Sequence, residues 1–206
     1  MKRLIDVVIA SIALLLLSPI FILVAYKVKK NLGSPIFFYQ KRPGKDCKQF
    51  RMIKFRSMKD AFDKDGQPLP DDQRITPFGK KLRSTSLDEM PQLINVLKGD
   101  MSIVGPRPQL SEFVEHYTPH QLRRHNVKPG MTGLAQVSGR NNLSWEEKFD
   151  LDVQYVEKQS TLLDFKIMFK TVEVMLKKEG IDSPDQAVGA SRFSGSETTD
   201  TKSTNR

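Results

Sequence analysis

Cysteine is nearly missing from this 206-residue sequence, in which Cys47 is the single example. One cysteine excludes an internal disulfide, and no residues at metal-ligand spacing surround it. A reducing environment such as the cytosol fits this usage best. The fold must rest on an apolar core, and a compact domain of about 150 residues would bury roughly 68–70% of its unfolded surface.

Acidic residues are scarce in the first part of the chain. Residues 1–60 contain thirteen Lys or Arg but three Asp, and the whole chain carries a net charge of +9. Nucleic acid, an acidic membrane surface or phosphate-bearing substrates would each match this excess. A solvated basic face without a partner is the remaining interpretation.

Motifs for several common chemistries are absent as well. The sequence has no P-loop, no G-x-G-x-x-G, no H-E-x-x-H and no G-x-S-x-G pattern. Phe50 and Phe55 lie among basic residues, but no RNA-recognition signature accompanies them. We therefore predict no nucleic-acid partner.

The longest uncharged run extends from Val7 to Tyr26. Its length is what an α-helix needs to cross a hydrocarbon core of about 30 Å. A cleaved signal peptide is the first alternative, but the run exceeds the usual apolar length of about 7–15 residues and no A-x-A-like site follows. We assign residues 1–30 to a membrane-embedded helix.

The path of that helix through the membrane stays open at this point. Basic residues flank both of its ends, and the positive-inside rule places both flanks in the cytoplasm. Pro19 cannot donate an amide hydrogen bond to the Leu15 carbonyl, so a kink or break is expected at Ser18–Pro19, where the Ser18 hydroxyl can help satisfy the backbone. These features favour a re-entrant helix, although spanning helices also tolerate proline.

The following part, residues 31–183, is predicted to form a mainly helical α+β domain. Two β-prone runs, residues 36–39 and 49–55, are separated by a turn sequence and predict a small β-hairpin. Residues 60–79 are rich in Asp, Pro and Gly, which indicates a long loop.

Helical character dominates the second half of the domain. A helix is expected to stop at Gly99, and residues 109–124 and 145–159 are predicted to be helical. Residues 164–178 form the clearest amphipathic stretch, which either packs on the core or lies in the membrane interface. Residues 184–206 are small and polar, which predicts a disordered tail.

Two adjacent carboxylates, Asp88 and Glu89, are the candidates for chemistry. They also fit a structural role, because Ser86 and Glu89 have the spacing of a helix capping box. Pro91 argues against that role, since a proline beyond the first turn distorts a helix. The alternative is a pair of carboxylates that acts as a nucleophile or binds a divalent metal.

Cationic residues in rigid or turn-forming contexts favour the chemical interpretation. Arg residues suit bidentate recognition of phosphate, and the prolines around Arg107 limit its freedom. Gly130, Gly133 and Gly139 mark a segment whose backbone can approach a diphosphate closely. The candidate phosphate-binding residues are Lys54, Arg56, Arg83, Arg107 and Arg140.

Several motifs together resemble one family, the bacterial sugar transferases, also called monotopic phosphoglycosyl transferases. They are F-x-Q-K-R-x-G-K at residues 38–45, K-F-R-S-M at 54–58, the block from Leu82 through SLDEMPQLINVLKGDMSIVGPRP to Pro108, and PGMTGLAQVSGRN at 129–141. The resemblance covers roughly residues 1–178. Because no further membrane helices precede these motifs, the chain resembles the small members, such as those of bacterial N-linked glycosylation.

The resemblance implies a function and a location. It implies transfer of a sugar phosphate from a UDP-sugar, with N-acetylated amino or diamino sugars as plausible donors, to undecaprenyl phosphate. It also implies Mg²⁺ as cofactor, Asp88 and Glu89 as the catalytic and metal-binding dyad, and a re-entrant helix broken at Ser18–Pro19. The catalytic domain would then lie on the cytoplasmic face of the inner membrane, and the oligomeric state is not determined.

The residues permit a mechanism and one competing function. Asp88 would attack the sugar-linked phosphorus, expel UMP and form an aspartyl intermediate that the lipid phosphate then resolves. The competing function is a membrane-anchored basic adaptor that binds acidic lipid or nucleic acid and catalyses nothing. An adaptor would need the positive charge but not the dyad.

Overall fold

The computed structural model describes residues 1–139 and 143–177, together with Phe193. In this part of the chain, eight α-helices accompany four short β-strands, so the prediction of a mainly helical α+β fold is confirmed. The helices are α1 (Lys2–Leu32), α2 (Asp71–Arg74), α3 (Pro77–Ser84), α4 (Gln92–Lys98), α5 (Pro119–Leu122), α6 (Leu134–Ser138), α7 (Trp145–Lys158) and α8 (Thr161–Lys177). The strands are β1 (Phe37–Pro43), β2 (Gln49–Phe55), β3 (Ser102–Val104) and β4 (Gly130–Thr132).

Helix α1 contains the apolar run and is long and apolar enough to cross a membrane. Its helical backbone continues through Ser18 and Pro19, so the predicted break is not an interruption of the helix. The Ser18 hydroxyl donates a hydrogen bond of 2.8 Å to the carbonyl of Leu15. This is the carbonyl that Pro19 leaves without its usual amide donor, and the predicted role of Ser18 is confirmed.

Both ends of α1 contact the rest of the domain. At the N-terminal end, Lys2 forms an ion pair of 2.7 Å with Asp164, and at the C-terminal end the Arg56 guanidinium donates to the carbonyl of Leu32. The middle of the helix points away, since Leu15 is 75% exposed. One domain would not reach both ends of a helix that crosses a layer of about 30 Å, so these contacts favour the re-entrant path.

The predicted β-hairpin is present, and its strands pair antiparallel with Phe37 opposite Phe55. Helix α4 fixes this hairpin through Asn95, whose side chain accepts from the Ile53 amide at 3.0 Å and donates to the Arg51 carbonyl at 2.8 Å. The helix ends at Gly99 with a φ of 91°, as predicted. The hairpin and α4 therefore form one rigid unit beside α1.

Strands β3 and β4 form a separate parallel pair in which two glycines meet. A Cβ atom on Gly130 would lie 2.1 Å from the Gly105 amide nitrogen, and one on Gly133 would lie 2.3 Å from the Gly105 carbonyl oxygen. Both positions need glycine because two backbones touch there. Gly130 and Gly133 therefore serve backbone packing here, and their approach to a diphosphate stays a prediction.

The amphipathic segment forms α8 up to Lys177, and its next residue lies outside the described part. Most of its apolar side chains are exposed, with Phe169 75% and Leu176 79% exposed, whereas Asp164 and Ile167 are buried. The core-packing interpretation is therefore wrong for most of this helix. The exposed apolar face favours the interfacial interpretation.

Of the predicted tail, residues 184–206, only Phe193 lies within the described part. Its side chain is 5% exposed and packs edge-on against Phe149, with ring centroids 5.0 Å apart. The rings of Phe113, Tyr117 and Trp145 complete this aromatic cluster. The tail is therefore anchored to the domain at this position.

Candidate active site

The two candidate carboxylates lie on a single 3₁₀ turn, Leu87–Glu89, between α3 and α4. Ser86, which precedes the turn, has a φ of 55° and makes no capping hydrogen bond with its side chain. The capping-box interpretation is therefore wrong. A left-handed conformation at a non-glycine residue costs roughly 1 kcal/mol or more, and such conformations concentrate at functional sites.

Glu89 is held by two cations. The Lys54 ammonium donates to its Oε1 at 2.8 Å, and the Arg107 guanidinium donates to Oε1 at 2.5 Å and to Oε2 at 3.2 Å. Burial alone would raise the pKa of this carboxyl, but Arg107 and Lys54 outweigh burial and hold its pKa well below the usual range. Glu89 is therefore a fixed carboxylate with both oxygens engaged.

Asp88 is 7% exposed, and its side chain makes no hydrogen bond or ion pair to any residue in the described part of the chain. Burial, and then the negative charge of Glu89, raise the pKa of Asp88 to about 6. Lys54, Arg83 and Arg107 oppose this rise through their positive charges. At neutral pH the carboxylate is therefore ionised and buried, without an ion pair to any described residue.

Three of the five predicted phosphate-binding residues lie around the dyad, namely Lys54, Arg83 and Arg107. Arg83 is oriented by a hydrogen bond of 2.9 Å from its Nε to the Ser57 hydroxyl. Arg56 is not brought into this group, because its guanidinium bonds Asp60 at 2.8 Å and the backbone at the end of α1. Arg140 lies outside the described residues.

A buried network behind Arg107 was not predicted from the sequence. Arg124 is 2% exposed and donates to Asp152 at 2.7 Å, to the Tyr117 hydroxyl at 3.0 Å and to the Arg107 carbonyl at 2.6 Å. It therefore fixes the backbone that presents Arg107 to Glu89. The sequence offered no local pattern for this network, because Arg124 and Asp152 are 28 residues apart.

The site can bind a divalent ion only with help from a substrate. No group of three or more His, Cys, Asp or Glu side chains placed to hold a metal occurs in residues 1–139 and 143–177. Mg²⁺ takes about six oxygen ligands, commonly one or two carboxylates with substrate phosphates and waters. Within the described ranges the oxygens of Asp88 make no hydrogen bond and those of Glu89 are engaged, so the residues fit an ion that arrives with a phosphorylated substrate.

The two carboxylates and the cations around them determine which chemistry the site can support. An unpaired carboxylate can act as a nucleophile, and the cations around it can stabilise negative charge on a phosphoryl group. A carboxylate with both oxygens in ion pairs is suited to orienting those cations instead. The site is therefore equipped for phosphoryl chemistry, with separate tasks for Asp88 and Glu89.

Comparison with known proteins identifies the family of this chain. The family model described as bacterial sugar transferase matches residues 1–178. The uncharacterized sugar transferase EpsL of Bacillus subtilis (strain 168) is 50% identical over 196 residues, which cover 95% of this chain and 96% of that protein.

Two further relatives are longer proteins. The UDP-glucose:undecaprenyl-phosphate glucose-1-phosphate transferase of Klebsiella pneumoniae is 44% identical over 181 residues, which cover 83% of this chain and 39% of that protein. The undecaprenyl-phosphate galactose phosphotransferase of Salmonella typhimurium (strain LT2) is 40% identical over 198 residues, which cover 87% of this chain and 41% of that protein. With the family model matching most of its length, the chain belongs to the bacterial sugar transferases.

Proposed function

We propose that this protein transfers a sugar phosphate from a UDP-sugar to undecaprenyl phosphate and releases UMP. The observation that carries the proposal is the buried carboxylate of Asp88, which three cations surround and which none of the described side chains pairs with. The names of the Klebsiella and Salmonella relatives include undecaprenyl phosphate as the acceptor, which supports this substrate class.

In the first step, a carboxylate oxygen of Asp88 attacks the sugar-linked phosphorus of the donor. A bond forms between that oxygen and phosphorus, and the bond from phosphorus to the bridging oxygen breaks, so UMP leaves with the bonding electrons. Arg83 and Arg107 stabilise the charge that develops on the phosphoryl oxygens. The product is a phosphosugar ester of Asp88.

In the second step, an oxygen of the lipid phosphate attacks the same phosphorus and the bond to Asp88 breaks. The products are a polyprenyl diphosphate sugar and the free carboxylate, so no oxidant, reductant or further reactant is needed. Glu89 keeps Lys54 and Arg107 in place during both steps, through its ion pairs with each of them.

A divalent ion and the membrane have supporting roles in this proposal. Mg²⁺, held by Asp88 beside Glu89 and completed by donor phosphates, would supply charge neutralisation of the diphosphate. Helix α1 and the apolar face of α8 would hold the domain on the cytoplasmic face of the inner membrane, at the height of the lipid phosphate.

Release of UMP from a panel of UDP-sugars, with Mg²⁺ and polyprenyl phosphate, tests the function. The panel should contain UDP-glucose, UDP-galactose and N-acetylated amino sugars, since relatives differ in the sugar that they are named for. Exchange of labelled UMP into the donor without lipid is expected for the two-step route. Exchange that requires lipid would favour direct attack in a ternary complex, and no release with any donor would favour a non-catalytic adaptor.

A further inference from the structure

A cleft beside the dyad shares Lys54 and Arg107 with the mechanism above, but its other lining residues have no role there. It measures about 60 Å³ and is open to solvent. Its described lining consists of Arg42, Met52, Lys54, Gln92, Arg107, Pro108 and Gln109. Complete ligand sites usually measure about 300–1,000 Å³, so this cleft can hold only part of a nucleotide sugar.

Gln92 is the most informative side chain in the cleft. It is 2% exposed, yet its side-chain amide makes no hydrogen bond to any residue in the described ranges. Because this amide lines the cleft, it can hydrogen-bond to a polar group that enters there. Met52 beside it offers no hydrogen bond of comparable strength.

The position of Gln92 relates the cleft to the nucleophile. Gln92 is the first residue of α4 and follows Asp88 by four residues, and Met90 and Pro91 between them have helical backbone angles. Side chains four residues apart on a helical backbone lie on the same face, about 5–6 Å apart at their Cβ atoms. A group covalently linked to the phosphorus that Asp88 attacks therefore lies within reach of Gln92.

The positive charges around the cleft favour a ligand that carries a negative charge. Arg42, Lys54 and Arg107 face it, and Glu89 balances only part of their charge. The Arg42 Nε is buried without a hydrogen-bond partner, and burial followed by repulsion from Arg107 lowers its pKa to about 10. A phosphate at the cleft entrance would accept a hydrogen bond from the Arg42 Nε and would offset the excess positive charge.

The lining also argues against the uracil base as the occupant. None of the described lining residues is aromatic, and bases are commonly bound by stacking on aromatic rings. Amide side chains, in contrast, both donate and accept hydrogen bonds, as sugar hydroxyl groups do. The glutamine and cationic side chains of the cleft thus match a neutral, hydroxyl-rich ring that is attached to a phosphate.

From these contacts we infer that the cleft binds the sugar that is transferred, with Gln92 and Gln109 on its hydroxyl or acetamido groups and Arg42 on its phosphate. This inference rests on the proposed function, because it assumes a nucleotide-sugar donor. It assigns donor specificity to the start of α4 and to the residue that follows Pro108.

Calorimetric titration of the full chain in lipid nanodiscs tests the assignment. The Asp88→Asn background prevents turnover, and UMP is compared with the donor that the panel identifies. Gln92→Met keeps nearly the same volume, and we expect about ten-fold weaker donor binding with unchanged UMP binding. Gln73→Met changes an exposed glutamine on α2 and should alter neither affinity.

The outcomes separate the alternatives. Equal weakening of UMP and donor would show that the cleft holds the nucleotide, and unchanged donor binding would show that it holds nothing; either result overturns the inference. If Gln92→Met does not fold, the test is made with Gln109→Met, which changes a partly exposed residue of the cleft. We expect weaker donor binding at constant UMP affinity. Unchanged donor binding would overturn the inference. Donor binding by a wild-type protein that never releases UMP would instead contradict the proposed function.

Discussion

Asp88 and Glu89 are adjacent in the chain, but their carboxyl groups lie in opposite electrostatic environments. Glu89 forms ion pairs with Lys54 and Arg107, whereas Asp88 forms none within the described residues. The pKa of Glu89 is lowered, and that of Asp88 is raised to about 6. This difference in environment is what the proposed function requires, with Glu89 as a structural anchor and Asp88 as the reactive group.

Replacement of Asp88 by Asn should stabilise the fold while it abolishes transfer. The raised pKa means that the folded state binds more protons than the unfolded state between about pH 4 and 6, so stability falls as pH rises through this window. Above pH 6 the ionised Asp88 costs about 2–3 kcal/mol, which Asn avoids. Chemical denaturation in the presence of a chelator should give a higher free energy of unfolding for Asp88→Asn than for wild type at pH 7. The difference should disappear at pH 4.

The exposed Asp72 supplies the control for that measurement, because Asp72→Asn removes a solvated charge far from any partner that the structure shows. Its stability should stay within about 0.5 kcal/mol of wild type at both pH values. An Asp88→Asn protein with wild-type turnover and membrane binding would remove Asp88 from the mechanism.

The exchange of UMP into the donor should fall as pH drops below about 6. Attack requires the ionised form of Asp88, so protonation reduces the rate about ten-fold for each pH unit below its pKa. Glu89 stays ionised throughout this range because its pKa is lowered. Rates measured between pH 5 and 8 at saturating donor check this, and a flat profile down to pH 5 would contradict a nucleophile with a raised pKa.

Disruption of the Arg124–Asp152 pair should be costly. Asp152→Asn leaves the buried guanidinium of Arg124 without its carboxylate, and we expect a loss of about 3–5 kcal/mol in the free energy of unfolding. The exposed pair of Arg123 and Glu157 is the matched control, since Glu157→Gln should lose less than about 1 kcal/mol. An equal loss in the free energy of unfolding for both variants in urea would show that burial does not determine how much these ion pairs stabilise the fold.

The double replacement Arg124→Met with Asp152→Leu separates stability from positioning. It removes both buried charges and should unfold less easily than Asp152→Asn. It also removes the donor at 2.6 Å from the Arg107 carbonyl, so kcat for UMP release should fall while the fold persists. Wild-type kcat in this variant would show that Arg124 does not position Arg107.

If α1 follows the re-entrant path that its contacts favour, both of its ends should face the cytoplasm. Leu4→Cys and Lys30→Cys, each made in a Cys47→Ser background, place single thiols at exposed positions near the two ends. A membrane-impermeant maleimide should label both from the cytoplasmic side of oriented vesicles. Asp65→Cys, in the loop of residues 60–79, is the control for labelling from the cytoplasmic side. Labelling of Leu4→Cys from the opposite side would establish a spanning helix.

Local sequence patterns predicted the elements that depend on near neighbours. The apolar run became α1, the β-prone runs became the hairpin of β1 and β2, and Gly99 ended α4. The capping-box pattern at Ser86 and the core-packing interpretation of α8 failed. In both cases the pattern was compatible with two environments, and only packing against distant segments decides between them.

The sequence by itself determined that this chain has an apolar helix long enough to cross a membrane, a cationic excess beside it and an Asp88–Glu89 pair, because these properties reside in consecutive residues. The tertiary structure alone decided that Glu89 is paired and Asp88 is not. Lys54 lies 35 residues and Arg107 lies 18 residues from Glu89 along the chain. Such ion pairs form only when α4 packs on the hairpin and Arg124 fixes the backbone of Arg107, and no local pattern encodes that convergence.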